Sequence, residues 1–155
     1  MSAVLKPPRP GYRPMCPNDL DRVLVIERSA YEFPWSRAIF LDCLRVGYGC
    51  WIMELGGRTA GYGVMSLGAG ESHILNLCIA PDLQRRGLGR DMLHHLLDIS
   101  RERRADTAFL EVRPSNLAAR NLYAQAGFDD VGVRRNYYPA RSGREDAIIM
   151  ALALL

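Results

Sequence analysis

The sequence predicts an α/β (α+β) domain built on a central mixed, mostly antiparallel seven-stranded sheet flanked by about four helices. Three observations carry this. Glycine turns at Gly56-Gly57 and Gly68-Ala69-Gly70 separate three consecutive β-like runs, so those strands fold back on one another. A stretch with helical period lies between the fourth and fifth β-like runs, which makes that one crossover parallel. At 155 residues, 48% hydrophobic and 24% charged, the chain is long enough to bury a single core without metals or disulfides.

In chain order, residues 1–11 hold Pro7, Pro8 and Pro10 and no apolar run of signal or membrane-span length. They read as a flexible tail before a single domain over residues 12–155, in a cytoplasmic protein with no membrane partner. Tyr12 to Met15 forms a short strand. Asn18 or Asp19 caps a first helix, with Leu20, Val23, Leu24 and Glu27 at helical spacing, that runs to about Ser29. Pro34 interrupts the chain, and Ser36 caps a second helix whose Ile39, Phe40, Cys43 and Leu44 share one side and which ends near Gly47 or Gly49. Cys50–Leu55, Ala60–Ser66 and His73–Ala80 are the next strands.

The helix after Gly89 places Met92, Leu93, Leu96 and Leu97 on one face and Asp91, His94, His95, Asp98 and Arg101 on the other, so both histidines face solvent. Thr107–Val112 is a strand with Phe109 and Glu111 on one face and Leu110 and Val112 on the other. Pro114, Ser115 and Asn116 supply a turn and cap for a helix carrying Ala119, Leu122, Tyr123 and Ala126, which Gly127 stops in the left-handed conformation. Asp130–Arg135 and Ala147–Leu154 are the last strands, joined by a polar loop, Asn136–Asp146, that contains Tyr137 and Tyr138.

A net charge of +3, spread along the chain, does not argue for nucleic acid. Cys16, Cys43, Cys50 and Cys78 form no C-x-x-C pair, and His73, His94 and His95 are not spaced with them as zinc ligands, so free thiols and no metal are expected. Between a strand and a helix lies Gln84-Arg85-Arg86-Gly87-Leu88-Gly89-Arg90. Two glycines one residue apart let the backbone approach an anion, and the helix start beyond them offers unpaired N–H groups at the positive end of a dipole. A Walker loop would follow its last glycine with Lys and then Ser or Thr, whereas Arg90 and Asp91 follow Gly89. A dinucleotide fingerprint would place a small residue where Met92 stands. A strand-turn-helix with basic surface residues is the ordinary alternative.

The loop resembles the Q/R-x-x-G-x-G/A pyrophosphate loop of the GNAT superfamily of N-acetyltransferases, and the element order is the GNAT order from Tyr12 onward. Pro34-Trp35-Ser36, Asn76-Leu77, Leu110-Glu111-Val112-Arg113, Ser115-Asn116, Asn121-Leu122-Tyr123, Gly127-Phe128, Arg135 to Pro139 and Gly143 to Ala147 resemble the ribosomal-protein alanine N-acetyltransferases of the RimI type. The resemblance implies a GNAT fold with a splay between strands four and five. It also implies acetyl-CoA as cosubstrate and transfer of acetyl to the N-terminal alanine of a small-subunit ribosomal protein; a monomer is expected. Other protein N-termini, lysine or a small-molecule amine are the alternative acceptors.

Glu111 is the candidate base: it sits mid-strand among apolar residues, where desolvation would raise its pKa, and it matches the family's Leu-Glu-Val-Arg glutamate. Pairing with Arg113 is the competing reading. Tyr123 is the candidate acid for the departing thiolate, against a buried helix tyrosine. The resemblance implies that Gln84, Arg85, Arg86, Gly87, Leu88, Gly89 and Arg90 hold the diphosphate and that Leu77, Cys78 and Ile79 pair with the pantetheine arm. A backbone N–H near Cys78 or Ile79 would meet the oxyanion where the strand bulges. Asn116 would contact the cofactor, cap its helix, or both. The peptide would lie between Tyr31–Trp35 and the last loop, with Glu27 and Glu32 attracting it and Tyr31, Pro34, Trp35, Tyr137 and Tyr138 around it. Taken singly, each of these also reads as surface charge or core aromatic.

Overall fold

The computed structural model describes residues 9–155; of the tail expected over residues 1–11, residues 1–8 lie outside them, and Gly11 belongs to the first strand instead. The elements are β1 (Gly11–Pro14), α1 (Leu20–Ala30), α2 (Arg37–Arg45), β2 (Gly49–Leu55), β3 (Arg58–Gly68), β4 (Glu71–Ile79), α3 (Leu88–Glu102), β5 (Thr107–Val112), α4 (Leu117–Gln125), β6 (Asp129–Pro139) and β7 (Arg144–Ala153). They build one seven-stranded sheet in the order β1-β2-β3-β4-β5-β7-β6. Every neighbouring pair is antiparallel except β4 with β5.

Local chemistry sets the boundaries. The Ser36 hydroxyl accepts from the Ile39 N–H at the start of α2, and Asn116 Oδ1 accepts from the Ala119 N–H at the start of α4, so each satisfies an orphan donor. Gly127, at φ 103°, ends the turn after α4, as expected of a residue free of Cβ strain. The core is apolar and closely packed. Leu20, Val23 and Leu24 of α1 and Met92, Leu93, Leu96 and Leu97 of α3 are buried with Ile52, Val64 and Leu110 of the sheet. Gly63 lets α3 lie close, because a Cβ there would come within 3.0 Å of Leu96 Cδ1.

Two expectations fail. The polar stretch 136–146 is mostly strand: Tyr138 pairs with Glu145 and Pro139 with Arg144, leaving only residues 140–143 as the turn. Polar composition is misleading here because the hairpin is largely solvated, and Asn136, at φ 51°, absorbs an irregularity that the Asp146 carboxylate holds by accepting its N–H at 2.8 Å. His95 does not face solvent freely either. It stacks on Tyr12, with centroids 4.0 Å apart, and meets the edge of Trp51, and burial pushes its pKa down.

The parallel pairing of β4 and β5 is short. It runs from Glu71 opposite Thr107 to Ile74 opposite Leu110 and goes no further. In the β3–β4 pairing Val64 faces Asn76 and Met65 faces Ile74, so Leu75 is an extra residue and β4 bulges there. Beyond it the two strands part.

At the other edge, Asp19 takes a two-pronged bond from Arg13 (2.8 and 2.6 Å) and the Cys16 N–H at 2.8 Å. The Arg13 guanidinium first, then the Cys16 donor, hold its carboxyl down at about 2 against burial. A folded pKa below the unfolded one gives stability that is present above the unfolded value and lost as pH falls towards the folded value. The shift corresponds to on the order of 1–2 kcal/mol once screening at the partly open Arg13 is allowed for. Asp19→Asn should lose roughly this much at pH 7 in urea unfolding, and its deficit should shrink between about pH 4 and pH 2.

Candidate active site

Where β4 and β5 part, a cleft of about 370 Å³ opens. That is within the roughly 300–1,000 Å³ range of small-molecule sites. Distant segments supply its lining: Tyr31 and Trp35 from the α1–α2 connection, Leu77 from β4, Glu111 from β5, Asn116 and Tyr123 from α4 and its cap, and Tyr138 from β6.

Glu111 is nearly enclosed, its side chain 11% exposed. His73 Nε2 of β4 lies 3.3 Å from one carboxylate oxygen and Arg134 Nε of β6 lies 3.3 Å from the other. These neighbours reverse the expected shift. His73 first, then Arg134 and Tyr137, outweigh desolvation and hold the Glu111 carboxyl below the usual carboxylate range. Arg113 is not its partner. That guanidinium pairs with Glu145 at 3.1 Å, donates to the Pro139 carbonyl and lies over the rings of Tyr138 and Phe33. It thereby joins the end of β5 to the β6–β7 hairpin and to the α1–α2 connection.

Tyr123 is buried, and burial first, then the Cys78 thiol, push its phenol up to about 12. It therefore stays protonated at physiological pH, with its hydroxyl available as a hydrogen-bond donor. Cys78 is likewise buried and pushed up to about 11.

Beneath the cleft lies a polar network that sequence alone does not reveal. Glu27 is 1% exposed, on the buried face of α1. It accepts from the Tyr62 hydroxyl at 2.6 Å, Asn76 Nδ2 at 2.9 Å and the Trp35 backbone N–H at 2.8 Å. The expectation of a surface charge attracting a peptide is corrected accordingly: Glu27 ties the α1–α2 connection to β3 and β4. Tyr31 donates to the Leu77 carbonyl at 3.0 Å, and the Gln84 amide donates to the Ile79 carbonyl at 3.0 Å. Both free-edge carbonyls of β4 thus already hold a side chain, and Gln84 anchors its loop to the strand.

The turn itself has the form of an anion seat. Arg85 (φ 64°) and Gly87 (φ 80°) are both left-handed, and Gly87 starts α3 without a side-chain cap, so the first N–H groups of α3 remain available. Arg85, Arg86 and Arg90 are exposed around it. Leu88 is buried, and Gly89 sits between Ile79 and Leu122, where an added Cβ would meet both within 4 Å.

The structure thus brings Glu27, Tyr31, Trp35, Leu77, Glu111, Asn116, Tyr123 and Tyr138 to one cleft. Pro34 and Tyr137 are exposed and do not line it, and Glu32 pairs with Arg141. The β4 bulge is at Leu75 rather than near Cys78 or Ile79. Sequence reasoning missed His73, Arg134, Tyr62 and the role of Arg113. Only the strand alternation of Arg134 and the apolar setting of Tyr62 were visible, and neither signals a partner.

The chain belongs to the acetyltransferase (GNAT) family, whose pattern matches residues 19–128. It is 42% identical to the ribosomal protein bS18-alanine N-acetyltransferase of Escherichia coli (strain K12) over 136 residues, 88% of this chain and 92% of that one. A putative enzyme of the same description from Bacillus subtilis (strain 168) is 33% identical, over 85% of this chain and 87% of its own. The crystal structure of the ribosomal-protein-S18-alanine N-acetyltransferase from Escherichia coli superposes with a TM-score of 0.88 at 39% identity over 94% of both chains. A Salmonella typhimurium structure described as a putative acetyltransferase with its cofactor acetyl-CoA shares the fold at 19% identity and TM-score 0.77, over 95% of both chains. The chain is an N-acetyltransferase.

The buried network has a measurable consequence. Glu27→Ala strands three donors away from water and should destabilise the protein by on the order of 3 kcal/mol in urea unfolding. Glu27→Gln, which keeps an oxygen and the shape, should lose less than half of that.

Proposed function

We propose that this enzyme, in the cytoplasm, transfers the acetyl group of acetyl-CoA to the N-terminal α-amine of alanine on a small-subunit ribosomal protein. One observation carries the reading: Glu111 and Tyr123, from different elements, line the same cleft where β4 and β5 part. The likeness to bS18-alanine N-acetyltransferases over most of both chains supports the acceptor.

The residues present fit acetyl-CoA. Arg85, Arg86 and Arg90, with the left-handed turn and the uncapped start of α3, would hold a diphosphate. The edge of β4 at Leu77 and Ile79 and the Asn116 side chain would lie along the pantetheine arm, an arrangement akin to strand addition. Cys78, buried beneath, would pack the strand. The cosubstrate supplies an activated acetyl group as a thioester.

An α-amine with pKa near 8 is about one-tenth neutral at pH 7, whereas a lysine near 10.4 is neutral only about once in a few thousand molecules. Tyr31, Trp35 and Tyr138 would hold the first residue of the peptide, with Pro34 and Tyr137 at the outer rim. Glu111, ionised because His73 and Arg134 keep it so, accepts the proton that the amine sheds as its bond to carbon forms. A backbone N–H at the Leu75 bulge or along the free β4 edge would meet the carbonyl oxygen. Tyr123 donates a hydrogen bond to the departing sulfur. With a phenol at about 12 against a thiol near 8.5, stabilising the thiolate by that bond precedes any full proton transfer.

The test is steady-state acetylation of an alanine-started ribosomal peptide. Glu111→Gln should lower kcat by about 100-fold or more while the KM for acetyl-CoA stays within about twofold, and Tyr123→Phe should lower kcat by at least about tenfold. Equal kcat/KM on a lysine or polyamine acceptor would overturn the acceptor assignment.

A further inference from the structure

Beside the cleft lies a second, smaller cavity of about 260 Å³ that the proposed chemistry does not use. The two share Tyr31, Phe33 and Arg113 as walls, so they are neighbours along the mouth. Ala30, Phe33 and Ala140 give this pocket apolar walls, and Glu32, Glu145, Arg113 and Arg141 give it charge. Its charges are not equivalent. Arg113 and Glu145 meet at 3.1 Å, the Ser115 N–H holds the second Glu145 oxygen at 3.0 Å, and Arg113 stacks on Tyr138, so that pair is fixed and neutral as a unit. The ion-pair partner of Glu32 among the described residues is Arg141, and the two side chains are 52% and 88% exposed.

We infer that this pocket receives the side chain of the acceptor's second residue and selects a basic one, which takes the place of Arg141 on Glu32. The inference rests on the peptide reading of the cleft proposed above. An extended chain advances roughly 3.5 Å per residue, so the residue next to the amine passes the walls that cleft and pocket have in common. The sign of the charge follows from which partner can leave. Glu32 stands on a segment pinned on both sides, by the Tyr31 hydroxyl on the Leu77 carbonyl and by the Trp35 N–H on Glu27. Arg141 stands in the turn over residues 140–143 and reaches into water. When this exposed pair opens, Arg141 leaves, and the pocket keeps two carboxylates, Glu32 and Glu145, against the one guanidinium of Arg113. A guanidinium or ammonium then finds an unpaired carboxylate on Glu32 and spare acceptor capacity on Glu145, with its methylene stem along the apolar walls. An acidic side chain would meet two carboxylates and a cation already matched. Arg141 itself shows that a guanidinium fits on Glu32 at this place.

Four alanine-started peptides of one length test this: Arg, Gln or Glu as second residue of an otherwise neutral sequence, and Arg moved to the third position behind Gln. The parent enzyme, Glu32→Gln and Arg141→Ala are each read as a ratio of kcat/KM between peptides, so that a general loss of activity in a variant cancels. In the parent, Arg at the second position should be favoured over Gln by about fivefold, the size of one exposed ion pair, and Glu should be the poorest. Arg141→Ala should raise the Arg-to-Gln ratio to about tenfold by removing the internal competitor, and Glu32→Gln should bring it below about twofold. A parent ratio near one, an equal preference for Arg at the third position, a ratio kept in Glu32→Gln or a lowered ratio in Arg141→Ala overturns the inference. A preference for Glu assigns the pocket to an anion and overturns it as well. Equal rates on all four peptides remove the subsite and leave the alanine acceptor standing, whereas no turnover on any of them removes that acceptor and the subsite with it.

Discussion

The structure depends on the point at which β4 and β5 stop pairing. Strand partners normally continue until one of them ends, because every buried N–H and C=O needs a partner. Here both strands continue while the ladder stops after Ile74 and Leu110, with Leu75 bulging out of the neighbouring ladder at that same place. The backbone groups of β4 beyond the parting must be satisfied by something other than a strand. Tyr31 reaches the Leu77 carbonyl and Gln84 reaches the Ile79 carbonyl, so two connecting segments far apart in the chain are pulled onto the same edge. The cleft exists because the sheet fails to close, and two segments distant in the chain partly cover its open edge.

Two glutamates show how environment divides labour within this cleft. Both lie on its lining and both are largely withdrawn from water, yet they have opposite surroundings. Glu27 meets only neutral donors, a phenol, an amide and a backbone N–H, and serves as a junction between α1, the α1–α2 connection and the sheet. Glu111 meets an imidazole and a guanidinium and is held ionised at the mouth of the parted strands. Exchanging the two environments would leave the fold without its junction and Glu111 without the groups that hold it ionised. Acidic residue type alone therefore says little; which donors the topology delivers decides the role.

That topology explains what the sequence made legible. Elements governed by their own residues were readable: Ser36 and Asn116 as caps, Gly56-Gly57 and Gly127 as turns, and the parallel crossover implied by a helix between strands. Glu111 and Tyr123 were visible because each stands inside a local pattern. The contacts that define their chemistry were not. His73 sits on a strand far from Glu111 in the chain, and only the register of β4 against β5 brings them within reach. Arg113, two residues from Glu111, was the natural partner by sequence, but it turns to Glu145 and Tyr138 instead. The β6–β7 hairpin was read short for a related reason: strands that expose polar side chains on a solvated edge look like loop in composition.

The mouth of the cleft shows a further consequence of building a site from distant segments. The α1–α2 connection and the β6–β7 hairpin meet through Glu32 with Arg141 and through Arg113 with Glu145, Tyr138 and Phe33. The first pair is open to solvent, and such pairs hold weakly and are screened by salt. The second is half-buried and reinforced by stacking and by the Ser115 N–H on Glu145. The outer clasp can therefore open with little loss while the inner one keeps the hairpin against β5. The outer side of the mouth is fastened loosely, whereas the side that carries Tyr138 is fastened by the half-buried cluster around Arg113.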